Sequence, residues 1–258
     1  MKFQGILLCS DFDGTLKVTP ENIAALEYFT NNGGRFTMAS GRYPTHFRDT
    51  VEGLPINAPV VALNGNAIYD LATDTLLWSD PMENELAEEM VRYADAHFDT
   101  FQLTLNCLTS GIVFRPHKGD TAEDTIRALY ADDSPAPVLK VHVIKSPKIP
   151  PEMREGYGKA FPQLTVTTSG WGGLEMYLIG GGKGAAIAKL REMLPEIHTV
   201  VGVGDWENDI TMVETADIGY AVGNACDELK AAADRVTVRA DENAIAKIIA
   251  DLDKEYTK

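Results

Sequence analysis

Short apolar segments that end abruptly in polar residues recur along this chain, with helical patterns between them. The first, residues 6–10, runs directly into Asp11, and later ones cover residues 35–39, 60–63 and 199–203. A continuous apolar run of this length is typical of a strand buried on both faces of a parallel sheet. Strands that alternate with helices predict an α/β fold with a doubly wound parallel sheet.

The middle third of the chain has a different pattern. Residues 82–98 form an amphipathic helical pattern, and strand-like segments with two further helical segments follow it. This arrangement predicts a separate α+β module inserted into the parallel domain, with hinges near residues 79–82 and 180–182. The predicted domains are a catalytic core of residues 1–80 and 181–258 and an inserted module of residues 81–180.

Composition excludes several classes of partner. The net charge of -15 argues against binding to nucleic acid or to an anionic membrane, because both need clustered Lys and Arg. A small anionic substrate stays compatible with this charge, since a bound cation can reverse the local field.

The three cysteines are widely spaced and form no CxxC, so they indicate neither a disulfide framework nor a zinc cluster. We find no signal peptide and no run of ~20 apolar residues, and we expect a cytoplasmic protein, monomeric or a small homo-oligomer.

Two acids, Asp11 and Asp13, follow the first predicted strand. Acids at this spacing are also common turn formers. Here, however, a buried strand delivers the first one to the edge of the sheet. A carboxylate there can coordinate Mg²⁺ or attack phosphorus, and a second one can donate or accept a proton. Gly14 permits a sharp turn, and Thr15 offers a hydroxyl or backbone N–H to a phosphate oxygen.

A second acidic group, with Asp205 and Asp209, follows the strand at residues 199–203. Carboxylates this close repel one another unless a cation lies among them, and Mg²⁺ is the cation that prefers oxygen ligands. We interpret Asp205 as a direct ligand and Asp209 as a ligand or a holder of bound water. A solvated helix start is the alternative, because the helix dipole favours acids there. Ligands of open α/β sheets bind outside the carboxyl ends of the strands, so four strand-end residues are expected at one edge: Asp11, Ser40, Asn64 and Asp205.

Two further motifs suit a phosphate. Ser40 can bind one and Gly41 lets the backbone approach it, although an ordinary turn fits the same residues. Lys183 follows three glycines at the start of a predicted helix, where a cation can face a phosphate. The segment is not a P-loop, because Gly184 stands where that motif requires Ser or Thr. The glycines would also suit a flexible hinge.

The order of these motifs resembles that of the haloacid dehalogenase-like superfamily of aspartyl phosphotransferases. The matching segments are residues 11–15, 40–42, 183–184 and 204–209. The insertion between the second and third motifs, together with the Asn-Gly pair at Asn64, resembles the Cof-type branch, whose larger α+β cap lies at that place. The likeness spans essentially the whole chain.

The resemblance implies a role for each matched residue. Asp11 would be the nucleophile that forms an aspartyl-phosphate, and Asp13 would protonate the leaving oxygen and then deprotonate the attacking water. Mg²⁺ would be held by Asp11, by the backbone carbonyl of Asp13 and by Asp205, with Asp209 in support through water. The residues expected to contact the phosphate are Thr15, Ser40, Gly41, Lys183 and Asn208, and those expected to contact the substrate are Arg42 and Asn64.

We therefore expect a Mg²⁺-dependent phosphatase for a small phosphorylated metabolite. Sugar phosphates are the leading class, and nucleotides and pyridoxal phosphate are further candidates. One alternative is a sugar phosphomutase, which shares the aspartyl-phosphate but returns the phosphoryl group to a sugar. The other is a metabolite-binding regulatory protein that keeps the fold without turnover.

The resemblance implies that the inserted cap selects the substrate. Within it, Arg115, His117 and Lys118 would suit a second anionic group, or they form a solvated basic loop. Trp171 and Tyr177 would suit stacking on a sugar or a ring, although core packing fits both better.

Overall fold

The computed structural model describes residues 1–146, 148–170 and 172–256, with the backbone alone at position 48. These residues form two compact units. The first joins Met1–Trp78 to the segment that begins at Gly182, and the second is Ser79–Gly181. Within the described ranges, every helix is too short or too polar to cross a membrane. Trp171 lies outside the described residues.

The secondary structure elements are numbered separately for strands and helices in chain order. The strands are β1 (Ile6–Ser10), β2 (Arg35–Met38), β3 (Val60–Ala62), β4 (Ala67–Asp70), β5 (Thr75–Ser79), β6 (Gln102–Asn106), β7 (Gly111–Phe114), β8 (Lys140–Ile144), β9 (Leu164–Thr168), β10 (Leu174–Leu178), β11 (Thr199–Gly204), β12 (Ile218–Ala221) and β13 (Arg235–Val236). The helices are α1 (Pro20–Asn31), α2 (Pro44–Thr50), α3 (Asn84–His97), α4 (Ala122–Leu129), α5 (Pro151–Ala160), α6 (Lys183–Met193), α7 (Ile210–Thr215), α8 (Asp227–Ala232) and α9 (Ala244–Glu255).

The first unit contains a parallel sheet with the strand order β13-β12-β11-β1-β2. From β1 the chain moves outward to β2 on one side, and it later returns as β11 on the other side. Ser10 of β1 is therefore in register with both Met38 and Val203. In open α/β sheets, ligands bind where the strand order reverses, which in this sheet is at the carboxyl ends of β1 and β11. The predicted doubly wound sheet is confirmed.

Residues of β1 are buried on both faces of this sheet. Successive side chains of a strand point to opposite faces, so Leu7 and Cys9 share one face and Ile6 and Leu8 the other. All four are buried. Leu7 and Cys9 belong to a core cluster with residues of α6 and α7, and α1 packs against α9. The continuous apolar run follows from this double burial.

A small second sheet in the first unit has the order β3-β4-β5. Ala39, which follows β2, forms a parallel bridge to Val61 of β3. The strand predicted over residues 60–63 ends one residue early because Leu63 has a φ of +52°. Leu63 begins a short 3-10 turn that also holds Asn64 in the left-handed region.

The second unit contains an antiparallel sheet with the order β7-β6-β8-β10-β9. Residues of α3, α4 and α5 share a hydrophobic core with this sheet, which confirms the α+β character of the insertion. Tyr177 is buried, as expected for core packing. Arg115 pairs with Asp120, whereas His117 and Lys118 are exposed on a short turn.

Candidate active site

Three buried carboxylates meet at the carboxyl edge of the parallel sheet: those of Asp11, Asp205 and Asp209. Each offers an oxygen atom, and these atoms lie within 4.8 Å of one another. Asp11 directly follows β1, and its N–H donates to the carbonyl of Val203 in β11 at 2.9 Å. Asp205 directly follows β11. The switch in strand order therefore brings together acids that are far apart in the sequence.

The ammonium group of Lys183 lies between two of these acids. It donates to Asp11 Oδ1 at 2.6 Å and to Asp209 Oδ1 at 2.5 Å, and the side chain is completely buried. Lys183 is the first residue of α6, after Gly182 at a φ of +92°. Three carboxylates and one ammonium leave two negative charges in a buried space, which suits one divalent cation.

The hydrogen bonds to the three acids divide them into two kinds. Asp209 accepts the N–H groups of Asp205 and Trp206 on Oδ2, at 3.0 and 3.2 Å, and Lys183 on Oδ1, so both of its oxygens are engaged. Asp11 and Asp205 accept bonds on Oδ1, the latter from the Thr15 hydroxyl at 3.0 Å. In the described chain, Oδ2 of Asp11 and Oδ2 of Asp205 are thus left for a ligand.

Burial of charged groups at this site shifts the pKa values of Asp11, Asp205 and Lys183. Burial raises the pKa of Asp11 to about 8 against the opposing effect of Lys183. Burial, and then Asp209, raises the pKa of Asp205 to about 6. For Lys183 burial alone would lower the pKa, but Asp11 and Asp209 outweigh it and raise the pKa, so the amine stays charged. A divalent cation among these acids would favour their ionised forms.

The turn after β1 is packed directly against Asp205. Gly14 has a φ of +90°, and a Cβ atom at this position would lie 2.3 Å from Asp205 Oδ2. A residue with a side chain would therefore be strained and would displace the carboxylate. The glycine is needed here both for the turn and for the close approach.

Asp13 is engaged by Arg42. The guanidinium Nη2 lies 2.8 Å from Asp13 Oδ1 and its Nε lies 3.2 Å from Oδ2, a bidentate ion pair. Arg42 Cζ also lies 5.2 Å from the centroid of the Phe12 ring, within the range of a cation–π contact. Both charged side chains are about one-third exposed, at 36% for Arg42 and 35% for Asp13. Asp13 therefore has a wetter environment than the three buried acids.

Ser40, Asn64 and Asn208 connect three further segments at this edge. Ser40 follows β2, and its carbonyl accepts the N–H of Asn64 at 3.0 Å. The Ser40 hydroxyl oxygen accepts the N–H of Arg42 at 3.4 Å, across Gly41. Asn64 is buried, and its Oδ1 accepts Nδ2 of Asn208 at 3.2 Å. The four strand-end residues predicted from the sequence all lie in the first unit, and these bonds join two of them, Ser40 and Asn64, and connect Asn64 to Asn208.

Asn224 was given no role from the sequence, yet it contacts the turn that follows β1. Its Nδ2 donates to the Gly14 carbonyl at 2.9 Å, and its Oδ1 accepts the N–H of Ala240 at 2.8 Å. Asn224 comes shortly after β12, which ends at Ala221. Its position after a parallel strand is the signal that would have indicated it.

Comparisons with known proteins agree with this fold. A family model described as haloacid dehalogenase-like hydrolase matches residues 8–249. A 5-amino-6-(5-phospho-D-ribitylamino)uracil phosphatase of Bacillus subtilis is 26% identical over 249 residues, which cover 94% of each chain. A pyridoxal phosphate phosphatase of Escherichia coli is 24% identical, over 94% of this chain and 97% of the relative.

A solved sugar phosphatase of haloacid dehalogenase subclass IIB has the same fold. It superposes with a TM-score of 0.78 at 19% identity and covers 95% of this chain and 98% of its own. The match to the family extends over both units, because it begins in β1 and ends in α9. The chain therefore belongs to the haloacid dehalogenase-like hydrolase family, in its Cof-type branch, and is a phosphoric monoester hydrolase.

Proposed function

We propose that this chain is a Mg²⁺-dependent phosphatase that hydrolyses a small phosphorylated metabolite through an aspartyl-phosphate on Asp11. The observation that carries the proposal is the buried group of Asp11, Asp205, Asp209 and Lys183 at the switch point of the sheet. A carboxylate for attack, oxygen ligands for a cation and a fixed ammonium group are what phosphoryl transfer requires.

The donor set fits Mg²⁺. Asp11 and Asp205 would hold the ion with one carboxylate oxygen each, together with the backbone carbonyl of Asp13, and Asp209 would support them. The three carboxylates are hard oxygen donors, and the two negative charges that remain beside Lys183 match a divalent ion. When bound, Mg²⁺ lowers the repulsion between a carboxylate and a phosphate dianion and stabilises charge on the phosphoryl oxygens.

Asp11 acts as the nucleophile in the first half of the reaction. A carboxylate oxygen of Asp11 forms a bond to phosphorus while the bond from phosphorus to the ester oxygen breaks. Lys183 holds Asp11 through a 2.6 Å contact and keeps a positive charge beside the attacked group. In the second half a water oxygen attacks the same phosphorus, the bond to Asp11 breaks, and phosphate and the free carboxylate are released.

Asp13 carries the proton in both halves. It gives a proton to the leaving ester oxygen and then takes one from the attacking water. Its bidentate pair with Arg42 fixes the side chain before substrate arrives. To act, Asp13 exchanges this partner for the ester oxygen, and Arg42 becomes available to the substrate.

The remaining phosphate contacts are assigned to Ser40, Gly41, Lys183 and Asn208. Thr15 receives a different role from the one expected, because both of its donors are used within the protein. Its hydroxyl donates to Asp205 Oδ1 at 3.0 Å, and its N–H donates to the carbonyl of Phe12 at 3.2 Å. We assign Thr15 to the orientation of Asp205.

Sugar phosphates are the proposed substrate class, and the cytoplasm is the proposed location. The relatives support a phosphate ester on a small metabolite, since their names specify a phosphorylated ribityl compound and pyridoxal phosphate. We assign selection among such esters to the inserted unit, and Asn64 with Arg42 to contacts with the substrate from the first unit.

The test is phosphate release from a panel of sugar, polyol, nucleotide and pyridoxal phosphates, with Mg²⁺ and with EDTA. Wild-type protein should release phosphate only with Mg²⁺, and acid quenching during turnover of a radiolabelled ester should trap labelled protein. Asp11→Asn should lose turnover and labelling, whereas Asp95→Asn, at an exposed position of α3, should retain both.

Three outcomes would contradict the proposal. Undiminished hydrolysis by Asp11→Asn would rule out Asp11 as the nucleophile. Full activity in EDTA would rule out a requirement for Mg²⁺. Phosphoryl return to a sugar, with activity only after addition of a sugar bisphosphate, would indicate a phosphomutase.

A further inference from the structure

Asn224 joins the turn that follows β1 to the short 3-10 turn that precedes α9. Its Nδ2 donates to the Gly14 carbonyl at 2.9 Å, and its Oδ1 accepts the N–H of Ala240 at 2.8 Å. Ala240 begins the short 3-10 turn that leads into α9. The amide of Asn224 therefore donates a hydrogen bond to the turn after β1 and accepts one from the segment before α9.

Two more side chains connect the same parts of the chain. Asn22 is completely buried, and its amide donates to the Lys17 carbonyl at 2.8 Å and accepts the N–H of Ala246 at 2.9 Å. The Thr19 hydroxyl donates to Asn243 Oδ1 at 2.7 Å. Residues 14–22 are thus tied to residues 240–246 at three points, directly by Thr19 and Asn22 and through Asn224 at Gly14.

The turn at Gly14 contacts Asp205, one of the three buried carboxylates. A Cβ atom on Gly14 would lie 2.3 Å from Asp205 Oδ2, so the turn lies directly beside this carboxylate with no room for a side chain between them. The next residue, Thr15, donates to Asp205 Oδ1 at 3.0 Å. A shift of the Gly14 carbonyl therefore moves the turn relative to Asp205, and with it the spacing between Asp205 and Asp11.

We propose that Asn224 is a positioning residue that sets the spacing of Asp11 and Asp205. By holding the Gly14 carbonyl, it keeps the turn at the distance from Asp205 at which the two acids share a divalent cation. The expected effect on turnover rests on the proposed function, whereas the expected effect on cation affinity is measured without any substrate. Residues that orient metal ligands without contacting the metal commonly contribute tenfold or more to metal affinity or to activity.

A purely structural role for Asn224 would predict a loss of stability alone. Asn57 provides the matched control, because it makes the same pair of backbone bonds elsewhere in the first unit. Its Oδ1 accepts the N–H of Phe36 at 2.7 Å, and its Nδ2 donates to the Gly34 carbonyl at 3.1 Å. Asn57→Ala therefore removes equivalent hydrogen bonds at the opposite end of β2 from Ser40.

The experiment compares wild-type protein with Asn224→Ala, Asn224→Asp and Asn57→Ala. Mg²⁺ affinity is measured by calorimetry without substrate, Tm by thermal unfolding in EDTA, and kcat and KM on the best ester of the panel. Both alanine variants should lower Tm. The two Asn224 variants should also weaken Mg²⁺ binding and lower kcat, each by about tenfold or more, while Asn57→Ala changes neither.

Asn224→Asp keeps the test decisive if the alanine variant does not fold, because an aspartate still accepts the Ala240 N–H but has no donor for the Gly14 carbonyl. Its added negative charge would by itself strengthen Mg²⁺ binding, so weaker binding in this variant reports the lost donor. Wild-type Mg²⁺ affinity in a folded Asn224 variant would overturn the inference, as would an equal loss in Asn57→Ala or an absence of Mg²⁺ binding by wild-type protein. If wild-type protein binds Mg²⁺ but releases no phosphate from any ester, the proposed function fails and the affinity comparison still decides the role of Asn224.

Discussion

Arg42 holds Asp13 by two nitrogen atoms, with Nη2 2.8 Å from Oδ1 and Nε 3.2 Å from Oδ2. A planar guanidinium fork matches a carboxylate in a way that a lysine ammonium cannot. The pair fixes the side chain proposed as the general acid, yet it has to open for proton transfer to the ester. Loss of the fork is therefore expected to affect the protonation of the leaving group more than the binding of phosphate.

Arg42→Lys tests this relationship. We expect kcat on alkyl phosphates, which need a protonated leaving group, to fall by roughly 10²-fold, at the lower end of the range for general acid catalysis. An aryl phosphate with an acidic phenol should lose much less, because its leaving group needs little protonation. Steady-state kinetics on the two ester classes provide the measurement. The control is Arg35→Lys, which alters an exposed pair with Glu196. Equal losses on both ester classes would contradict the assignment.

Gly14 and Gly53 form a matched pair of glycines with positive φ. Gly14 has a φ of +90° and no room for a Cβ beside Asp205, whereas Gly53 has a φ of +81° and open space around it. Gly53→Ala should cost only the backbone strain, about 1–2 kcal/mol, and should retain activity. Gly14→Ala should add a displacement of Asp205, and we expect loss of Mg²⁺ binding and of turnover. Mg²⁺ calorimetry on both variants is the measurement, and equal affinities would contradict the role given to Gly14.

The buried part of the fold was predictable because burial leaves a pattern in the sequence. The strand at residues 6–10 is apolar throughout since both faces of β1 are covered, and its end at Asp11 marks the edge of the sheet. By contrast, β4 and β5 were missed. Thr75–Ser79 is exposed or half-buried along its whole length, and its three consecutive apolar residues, 76–78, are too few and show no alternation with polar ones.

Contacts that depend on register or on loop conformation could not be predicted. The meeting of Asp11 with Asp205 follows from strand order, and the sequence motifs indicated it. The buried ion pair of Lys140 and Glu175, at 2.7 Å, depends on how β8 and β10 pair in the second unit. The contact of Asn224 with Gly14 likewise depends on two loops whose paths no periodicity encodes.

Lys183, which we propose to face the phosphate, also forms ion pairs with two of the three buried carboxylates, Asp11 and Asp209. Lys183→Met leaves three buried carboxylates without their ammonium partner, and removal of one partner from a buried ion pair costs about 3–5 kcal/mol. We expect a loss of that size in EDTA, measured by urea unfolding, and a partial recovery with Mg²⁺. Lys189→Met, on the same helix, removes an exposed pair with Glu192 and should cost less than about 1 kcal/mol. Similar losses for the two variants would show that the buried ammonium contributes no special stability.

The raised pKa values of Asp11 and Asp205 predict that the metal-free protein becomes less stable as pH rises. The folded pKa of Asp11 is raised to about 8, far above its value of roughly 3.9 in an unfolded chain. Between these values the folded state binds more protons than the unfolded state. The free energy of unfolding therefore falls with rising pH, by at most about 1.4 kcal/mol per pH unit for one proton. Asp205, with its pKa raised to about 6, adds to this slope at the acidic end of the window.

Urea unfolding at a series of pH values, in EDTA and in saturating Mg²⁺, measures this slope. Mg²⁺ favours the ionised acids, so the decline between about pH 4 and about pH 8 should become shallower in its presence. Asp11→Asn should remove most of the decline in EDTA. His142, whose pKa burial lowers, contributes a slope of the opposite sign, and it cancels in the comparison with Asp11→Asn because it is common to both proteins. An equal slope in wild-type protein and Asp11→Asn would mean that Asp11 is ionised across this range even without a cation.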